Sequence, residues 1–242
     1  MTLPLPEFAS AALLLDLDGT LIDLAATPDA VVVPAGLTND LRAVRRQLRD
    51  ALAIVTGRPI AAVDTLLAGA PFAIAGEHGG AIRPAPDAAI ARPDLSPPPE
   101  HWIDAAAAFA QAHPGTLLER KARGFGLHFR QSPDTGPDTH ALLMALAAGS
   151  LDFEVLQGAF LWEVRPRGID KGHATVALMA VPPFLGRIPV FIGDDVTDED
   201  GMRAAHALGG TGLRVQDWFV NAAGVRRWLR QTALRGDWGD FA

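Results

Sequence analysis

The run Leu13-Leu14-Leu15-Asp16-Leu17-Asp18-Gly19-Thr20-Leu21 constrains this chain most. Five of the six residues from Ala11 to Asp16 are apolar, which predicts a buried strand. That strand runs into two carboxylates spaced i, i+2 and then into Gly-Thr. In an extended chain, i and i+2 point to one side, so Asp16 and Asp18 are expected to converge at the strand's end. A parallel sheet places its ligand site at that carboxyl edge. Two acids there can divide the work, one attacking and the other moving protons. A calcium loop of the EF-hand kind also begins Asp-x-Asp. It is excluded because the sixth position is Leu21, where it needs Gly, and the twelfth is Thr27, where it needs Glu.

A second acidic cluster follows another apolar run, Val190-Phe191-Ile192-Gly193-Asp194-Asp195-Val196-Thr197-Asp198-Glu199-Asp200. Five carboxylates in seven residues repel one another unless a cation sits among them. Asp198, Glu199 and Asp200 are explained by the first turn of a helix, where acids favour the dipole, with Thr197 as the cap. Asp194 and Asp195 are left over. Beside Asp16 and Asp18 they form an oxygen-rich set suited to Mg²⁺. Thr56-Gly57-Arg58 follows an apolar stretch and precedes a helix opened by Pro59, so its hydroxyl and N–H groups can hold an anion. Of 21 basic residues only Lys121 and Lys171 are lysines. A lysine in so arginine-rich a chain points to a site that demands a compact charge. Lys171 also opens a helix, where a cation is disfavoured unless an anion is near.

Strand and helix patterns alternate at both ends of the chain. Strands are expected at 11–16, 51–55, 72–75, 188–192 and 213–215. Helices are expected at 37–50 (capped by Thr38), 59–67, 171–179, 198–207 and 220–234. This alternation predicts an α/β fold with a doubly wound parallel sheet. The middle differs. Residues 83–99 are proline-rich loop, followed by a helix at 100–113, a strand at 126–130 and a helix at 137–148. A hairpin of 153–156 and 160–164 follows, turning near Gln157-Gly158. We therefore expect an inserted α+β unit at 82–166 within a core of 1–81 and 167–242. The net charge of −7 argues against nucleic-acid binding, and the absence of cysteine excludes disulfides and thiolate chemistry. No run of 18 or more apolar residues and no basic leader is present, which predicts a soluble, cytoplasmic protein with no membrane partner.

Strand-end Asp16, strand-end Thr56, helix-start Lys171 and strand-end Asp194-Asp195, in that order, resemble the four motifs of the haloacid dehalogenase-like phosphohydrolases. The resemblance implies that Asp16 is the nucleophile of an aspartyl-phosphate and that Asp18 is the acid/base. It implies a Mg²⁺ cofactor held by Asp16, the Asp18 carbonyl and Asp194, with Asp195 in support. Thr56 and Lys171, with Gly57 and Arg58, would hold the phosphoryl oxygens. A phosphate monoester is a dianion, and each unit charge pair at about 4 Å in an effective dielectric near 20 amounts to roughly 4 kcal/mol. The cation, Lys171 and backbone amides must offset that repulsion, so catalysis rests on positioning and charge stabilisation.

In this superfamily an insertion after the second motif is a type-2 cap. Gly76-Glu77-His78-Gly79, Glu119-Arg120-Lys121, Gly126-Leu127-His128-Phe129-Arg130, Glu163-Val164-Arg165-Pro166-Arg167-Gly168 and Gly193-Asp194-Asp195-Val196-Thr197-Asp198-Glu199 are similar to motifs of trehalose-6-phosphate phosphatases. Phe129 stands where that group usually has Tyr. The resemblance implies hydrolysis of trehalose 6-phosphate, a phosphorylated disaccharide, with Glu119, Lys121, His128, Arg130 and Glu163 contacting sugar hydroxyls. His78, in a Gly-rich turn, reads equally as structural or functional. Trp162 reads as core or as a sugar-stacking face. The rivals are a phosphatase for another sugar phosphate (sucrose 6-phosphate, a glucosyl- or mannosyl-glycerate phosphate) and a catalytically silent sugar-phosphate sensor. Oligomeric state is not legible in the sequence.

Overall fold

All five residues of the first strand, β1 (Ala11–Leu15), are buried. A strand apolar on both faces belongs inside a parallel sheet covered by helices on each side. Such a sheet is what the computed structural model shows; it describes residues 5–25, 30–93, 96–121 and 123–239. Along the chain follow α1 (Leu37–Gln47), β2 (Leu52–Val55), α2 (Ile60–Leu67), β3 (Ala73–Gly76) and β4 (Ala81–Arg83). Next come α3 (Glu100–Ala112), β5 (Leu117–Lys121), β6 (Gly124–His128), α4 (Gly136–Leu146), β7 (Phe153–Gly158) and β8 (Leu161–Pro166). The chain continues with α5 (Lys171–Met179), β9 (Ile188–Gly193), α6 (Asp198–Ala207), β10 (Thr211–Arg214), α7 (Val215–Trp218) and α8 (Ala222–Arg235).

Two compact units result, Met1–Pro93 with Ile169–Ala242, and Asp94–Gly168. The first carries a six-stranded sheet in the order β10-β9-β1-β2-β3-β4. β1 pairs in parallel with β2 on one side and β9 on the other. The chain order therefore reverses around β1, and the carboxyl ends of β1, β2 and β9 meet at the topological switch where such sheets bind ligands. The expected α/β architecture is observed. The expected unit boundary at 81/82 is not, because β4 adds antiparallel to β3 and a bridge joins Ile82 to Ala91, keeping the proline-rich stretch with the first unit up to Pro93. Residues 94 and 95 of that stretch lie outside the described residues. On the far side the boundary falls after Gly168, two residues beyond the expected 166.

Local differences have local causes. α1 stops at Gln47 instead of 50 because Arg49 and Asp50 adopt positive φ. Its N-cap is Gly36, so Thr38 lies within the helix. In the second unit the sheet order is β5-β6-β8-β7, antiparallel throughout. The hairpin register Gly158↔Leu161 puts its two-residue turn at Ala159-Phe160, two residues later than read. β5 was not anticipated, since Leu-Leu-Glu-Arg-Lys shows no clean alternation, as suits an edge strand. Phe125, Leu127 and Val164 line the helix-covered face with Trp102, Ile103, Leu143 and Phe153. Trp162 lies on this face, its ring stacked on His140 of α4 at 4.0 Å between centroids. It is packing, not an open platform for a sugar.

The chain's two ends are fastened together in the first unit. The Trp238 indole N–H donates to Pro6 O at 2.7 Å, and the Trp228 indole N–H donates to Trp238 O at 2.9 Å. Phe8 meets Trp238 edge-on at 4.7 Å. Truncating Trp238, which is buried, should destabilise the protein by about 3 kcal/mol, within the range for large aromatic deletions. Urea titration of Trp238→Ala checks this. A midpoint indistinguishable from the parent's would show that the clasp carries no stability.

Candidate active site

Lys171 sits at the centre of the carboxyl edge of the sheet. Asp170 caps α5 by accepting the His173 N–H at 2.7 Å, which starts the helix at Lys171 and turns its side chain inward. The ammonium is buried and donates to Asp16 Oδ1 and to Asp198 Oδ1, each at 2.6 Å. Burial works against the charged lysine, but the two carboxylates outweigh it and hold its pKa above the ordinary value. Asp16 is likewise buried, its N–H fixed to Ile192 O at 2.9 Å. Desolvation, with the repulsion of Asp198, pushes its pKa up to about 7 against the pull of Lys171.

Asp198 is the residue that sequence reasoning assigned to a helix terminus. It does open α6, but its side chain is fully buried and works elsewhere. Oδ2 accepts the N–H groups of Asp194 and Asp195, each at 3.0 Å, while Oδ1 meets Lys171. Thr197, the expected cap, makes no side-chain capping bond. The signal that marks Asp198 is its partner: a buried ammonium has three donors, and one carboxylate oxygen does not satisfy them. Asp194 accepts from the Thr20 hydroxyl at 3.3 Å, and burial, then Asp16 and Asp195, raise its pKa to about 6. Gly19, at φ +80°, lies so close that any Cβ there would collide with the Asp194 carboxylate.

β1 ends at Leu15, so strand alternation does not govern Asp16 and Asp18, and each takes its own cation. Asp18 is held by Arg58 through two bonds, Nε to Oδ2 at 2.6 Å and Nη2 to Oδ1 at 2.7 Å. Arg58, read as a phosphate contact, is thus joined to the second acid of the first motif. Thr56 is buried at the end of β2; its N–H donates to Ala75 O at 2.8 Å and its hydroxyl accepts the Arg58 N–H at 3.2 Å. Gly57 lies between these two residues in the same short loop.

Carboxylate oxygens of Asp16, Asp194 and Asp198 all lie within 4.8 Å of one another. Asp198 spends Oδ1 on Lys171 and Oδ2 on the two loop N–H groups, so Asp16 and Asp194 are the less committed of the three. Burial is the main cause of their raised pKa values, joined by repulsion from Asp198 on Asp16 and from Asp16 and Asp195 on Asp194, and the close-set hard oxygens fit a dication. Asp195 does not join them; it is exposed and its Oδ1 accepts the N–H of Val196 at 2.6 Å.

The second unit gathers a separate polar face. Glu119, Gly126 and Glu163 stand in one row across β5, β6 and β8. Lys121 Nζ lies 2.6 Å from Glu163 Oε2 and 4.0 Å from Glu119 Oε2, and His128 Nε2 lies 2.8 Å from Glu119 Oε2. Four of the five expected sugar contacts thus form one network over a side-chain-free glycine floor. Arg130 is not among them. β6 ends at His128, and Arg130 instead lies in the following turn with its guanidinium 5.2 Å from the Phe160 ring centroid.

No described helix is long and apolar enough to cross a membrane. Residues 14–220 match the trehalose-phosphatase family. A probable trehalose-phosphate phosphatase of Sinorhizobium fredii is 40% identical over 205 residues, covering 84% of this chain and 77% of that protein. A trehalose-6-phosphate phosphatase of Escherichia coli is 36% identical over 228 residues, covering 89% and 82%. The fold is that of the haloacid dehalogenase-like hydrolases. The C-terminal domain of the Candida albicans trehalose-6-phosphate phosphatase superimposes with a TM-score of 0.76 at 21% identity, covering 93% of each chain. With Asp16, Thr56, Lys171 and Asp194 gathered at one sheet edge, and the match spanning both ends of that edge, the chain belongs to the trehalose-phosphatase family.

Proposed function

We propose that this protein is a Mg²⁺-dependent phosphatase that hydrolyses trehalose 6-phosphate to trehalose and phosphate through an aspartyl-phosphate on Asp16. The observation that carries the reading is the Asp16–Lys171–Asp198 chain of 2.6 Å contacts, which presents a carboxylate nucleophile beside a buried ammonium. Lys171 favours the ionised form of Asp16 and offers charge to an incoming phosphoryl group. Asp16 attacks phosphorus and the bond to the sugar oxygen breaks; Asp18 gives that oxygen a proton. Asp18 then takes a proton from water, which attacks phosphorus and releases phosphate from Asp16. Arg58 orients Asp18 through two hydrogen bonds, and substrate binding would compete for the guanidinium. Thr56, Gly57 and Lys171 hold the phosphoryl oxygens. Asp16, Asp194 and the Asp18 carbonyl are the groups that would hold Mg²⁺, which supplies the positive charge that lets two anions meet.

The polar face formed by Glu119, Lys121, His128 and Glu163 recognises the sugar. Carboxylates accept from hydroxyls, and lysine donates to hydroxyl and ring oxygens. Glu163, the more buried partner of Lys121, would orient that lysine. The acidic chain works in the cytoplasm.

Three outcomes are expected. Phosphate release from trehalose 6-phosphate should fall more than ~10³-fold in Asp16→Asn while substrate binding by calorimetry persists. Retained turnover would remove Asp16 from the nucleophile's role. Lys121→Ala and Glu163→Ala should lower kcat/KM for trehalose 6-phosphate roughly 10- to 100-fold, the range for lost charged hydrogen bonds, and spare a small aryl phosphate. Equal losses on both substrates would count against a sugar-recognition role. The third concerns pH. Asp16 and Asp194 have raised pKa values, so without metal their contribution to stability is present below the usual carboxylate range and is lost as pH rises through about 6 and about 7. Magnesium requires both deprotonated, so its stabilising shift of Tm should be small near pH 5.5 and larger near pH 8. Scanning fluorimetry with and without magnesium chloride checks this, and a shift independent of pH would exclude these acids as ligands.

A further inference from the structure

Glu77 and His78 are consecutive non-glycine residues with positive φ, each at +55°. Side-chain-bearing residues enter this region seldom, and such strain persists only where surrounding structure over-determines it. The surroundings here are the parts that hold phosphate in the proposed reaction. The Glu77 N–H donates to Arg58 O at 3.0 Å, and the His78 N–H donates to Thr56 O at 3.0 Å. The turn therefore grips the Thr56–Arg58 loop at both ends. Between those grips the His78 ring lies against the loop's middle residue. A Cβ on Gly57 would stand 2.5 Å from His78 Nε2 and 2.6 Å from Cε1. On the other side, a Cβ on Gly79 would stand 2.5 Å from Asp170 O, the residue that caps the helix carrying Lys171. Glu77 is itself anchored by a two-point pair with Arg92, at 2.6 and 2.8 Å.

We propose that His78 is a positioning residue for phosphate capture: its imidazole, pressed on Gly57 from a strained turn, holds the Thr56–Arg58 loop in its anion-binding shape. The inference rests on reading that loop as the phosphoryl cradle. It assigns His78 no contact with the sugar and no proton transfer. A Cβ at position 57 would displace the ring, so glycine there lets the imidazole lie against the loop. The strained backbone of Glu77 and His78 sets where the ring can lie. A loop without the ring keeps its sequence but loses its support, and anion affinity falls because the donors no longer converge.

The test uses His78→Gly, which keeps the positive φ accessible and deletes only the ring. Inorganic phosphate, a product of the proposed reaction, serves as probe in calorimetric titrations of the magnesium-loaded protein. Phosphate affinity should fall roughly tenfold or more and KM should rise with kcat less affected, while the magnesium-induced shift of Tm stays as in the parent. Added imidazole should restore phosphate binding by refilling the space against Gly57. In a double-mutant cycle, Thr56→Val should cost less phosphate affinity in His78→Gly than in the parent, because both act through one loop. Unchanged phosphate affinity, strict additivity with Thr56→Val, or a parallel loss of the magnesium response would each overturn the proposal; the last would mark His78 as a general structural residue. If the parent protein binds no phosphate, the cradle reading falls and this inference with it. If it binds phosphate yet does not release it from trehalose 6-phosphate, only the substrate assignment falls.

Discussion

A single buried ammonium organises the catalytic unit. Lys171 lies between Asp16 and Asp198, and none of the three is tolerable there without the others. A lysine or carboxylate taken from water without a partner would neutralise instead of remaining charged. Each link fixes an element. Asp16 directly follows β1, Lys171 opens α5, and Asp198 opens α6 while its second oxygen gathers the N–H groups of the loop after β9. The parallel sheet brings the three to one edge, because β1 pairs directly with β9.

Around that chain the site shows a division of charge. Three carboxylates share a small space and Lys171 satisfies two of them; burial, with the repulsion that remains, raises the pKa values of Asp16 and Asp194. Asp18 is kept apart from this by Arg58, whose planar fork matches both carboxylate oxygens. Asp16 and Asp18 therefore have separate cationic partners, Lys171 and Arg58, although they stand only two residues apart. The second unit solves its own problem by similar means. Lys121 pairs with Glu163 across the width of β6, and His128 meets Glu119 on the adjacent strand, over the bare floor of Gly126.

Much of this was legible before the fold was seen. Apolar runs ending in Asp16, Thr56 and Asp194 could only be buried strands, and a buried strand that ends in polar residues announces its carboxyl edge. The scarcity of lysine also proved informative, since both lysines are held by carboxylates. What escaped did so for physical reasons. Asp198 looked like an ordinary first-turn acid because helix termini attract carboxylates regardless of function. Asp195 looked like a ligand because adjacent acids are indistinguishable along a line, and only backbone geometry turns one inward and the other out. β4 and β5 are short edge strands, whose pairing is decided by a neighbour's unpaired backbone and not by their own side-chain pattern.

The linear order of residues thus determined the class of sheet, the edge that bears the chemistry and the family, since burial pattern and motif spacing are local properties that survive without coordinates. Tertiary structure alone decided which carboxylate meets which cation: Asp198 with Lys171, Asp18 with Arg58, Glu119 with His128. It also decided that His78 rests on Gly57. These pairings join residues from 9 to 40 positions apart, and Coulomb attraction and steric exclusion depend on distance in space, which spacing along the sequence does not encode.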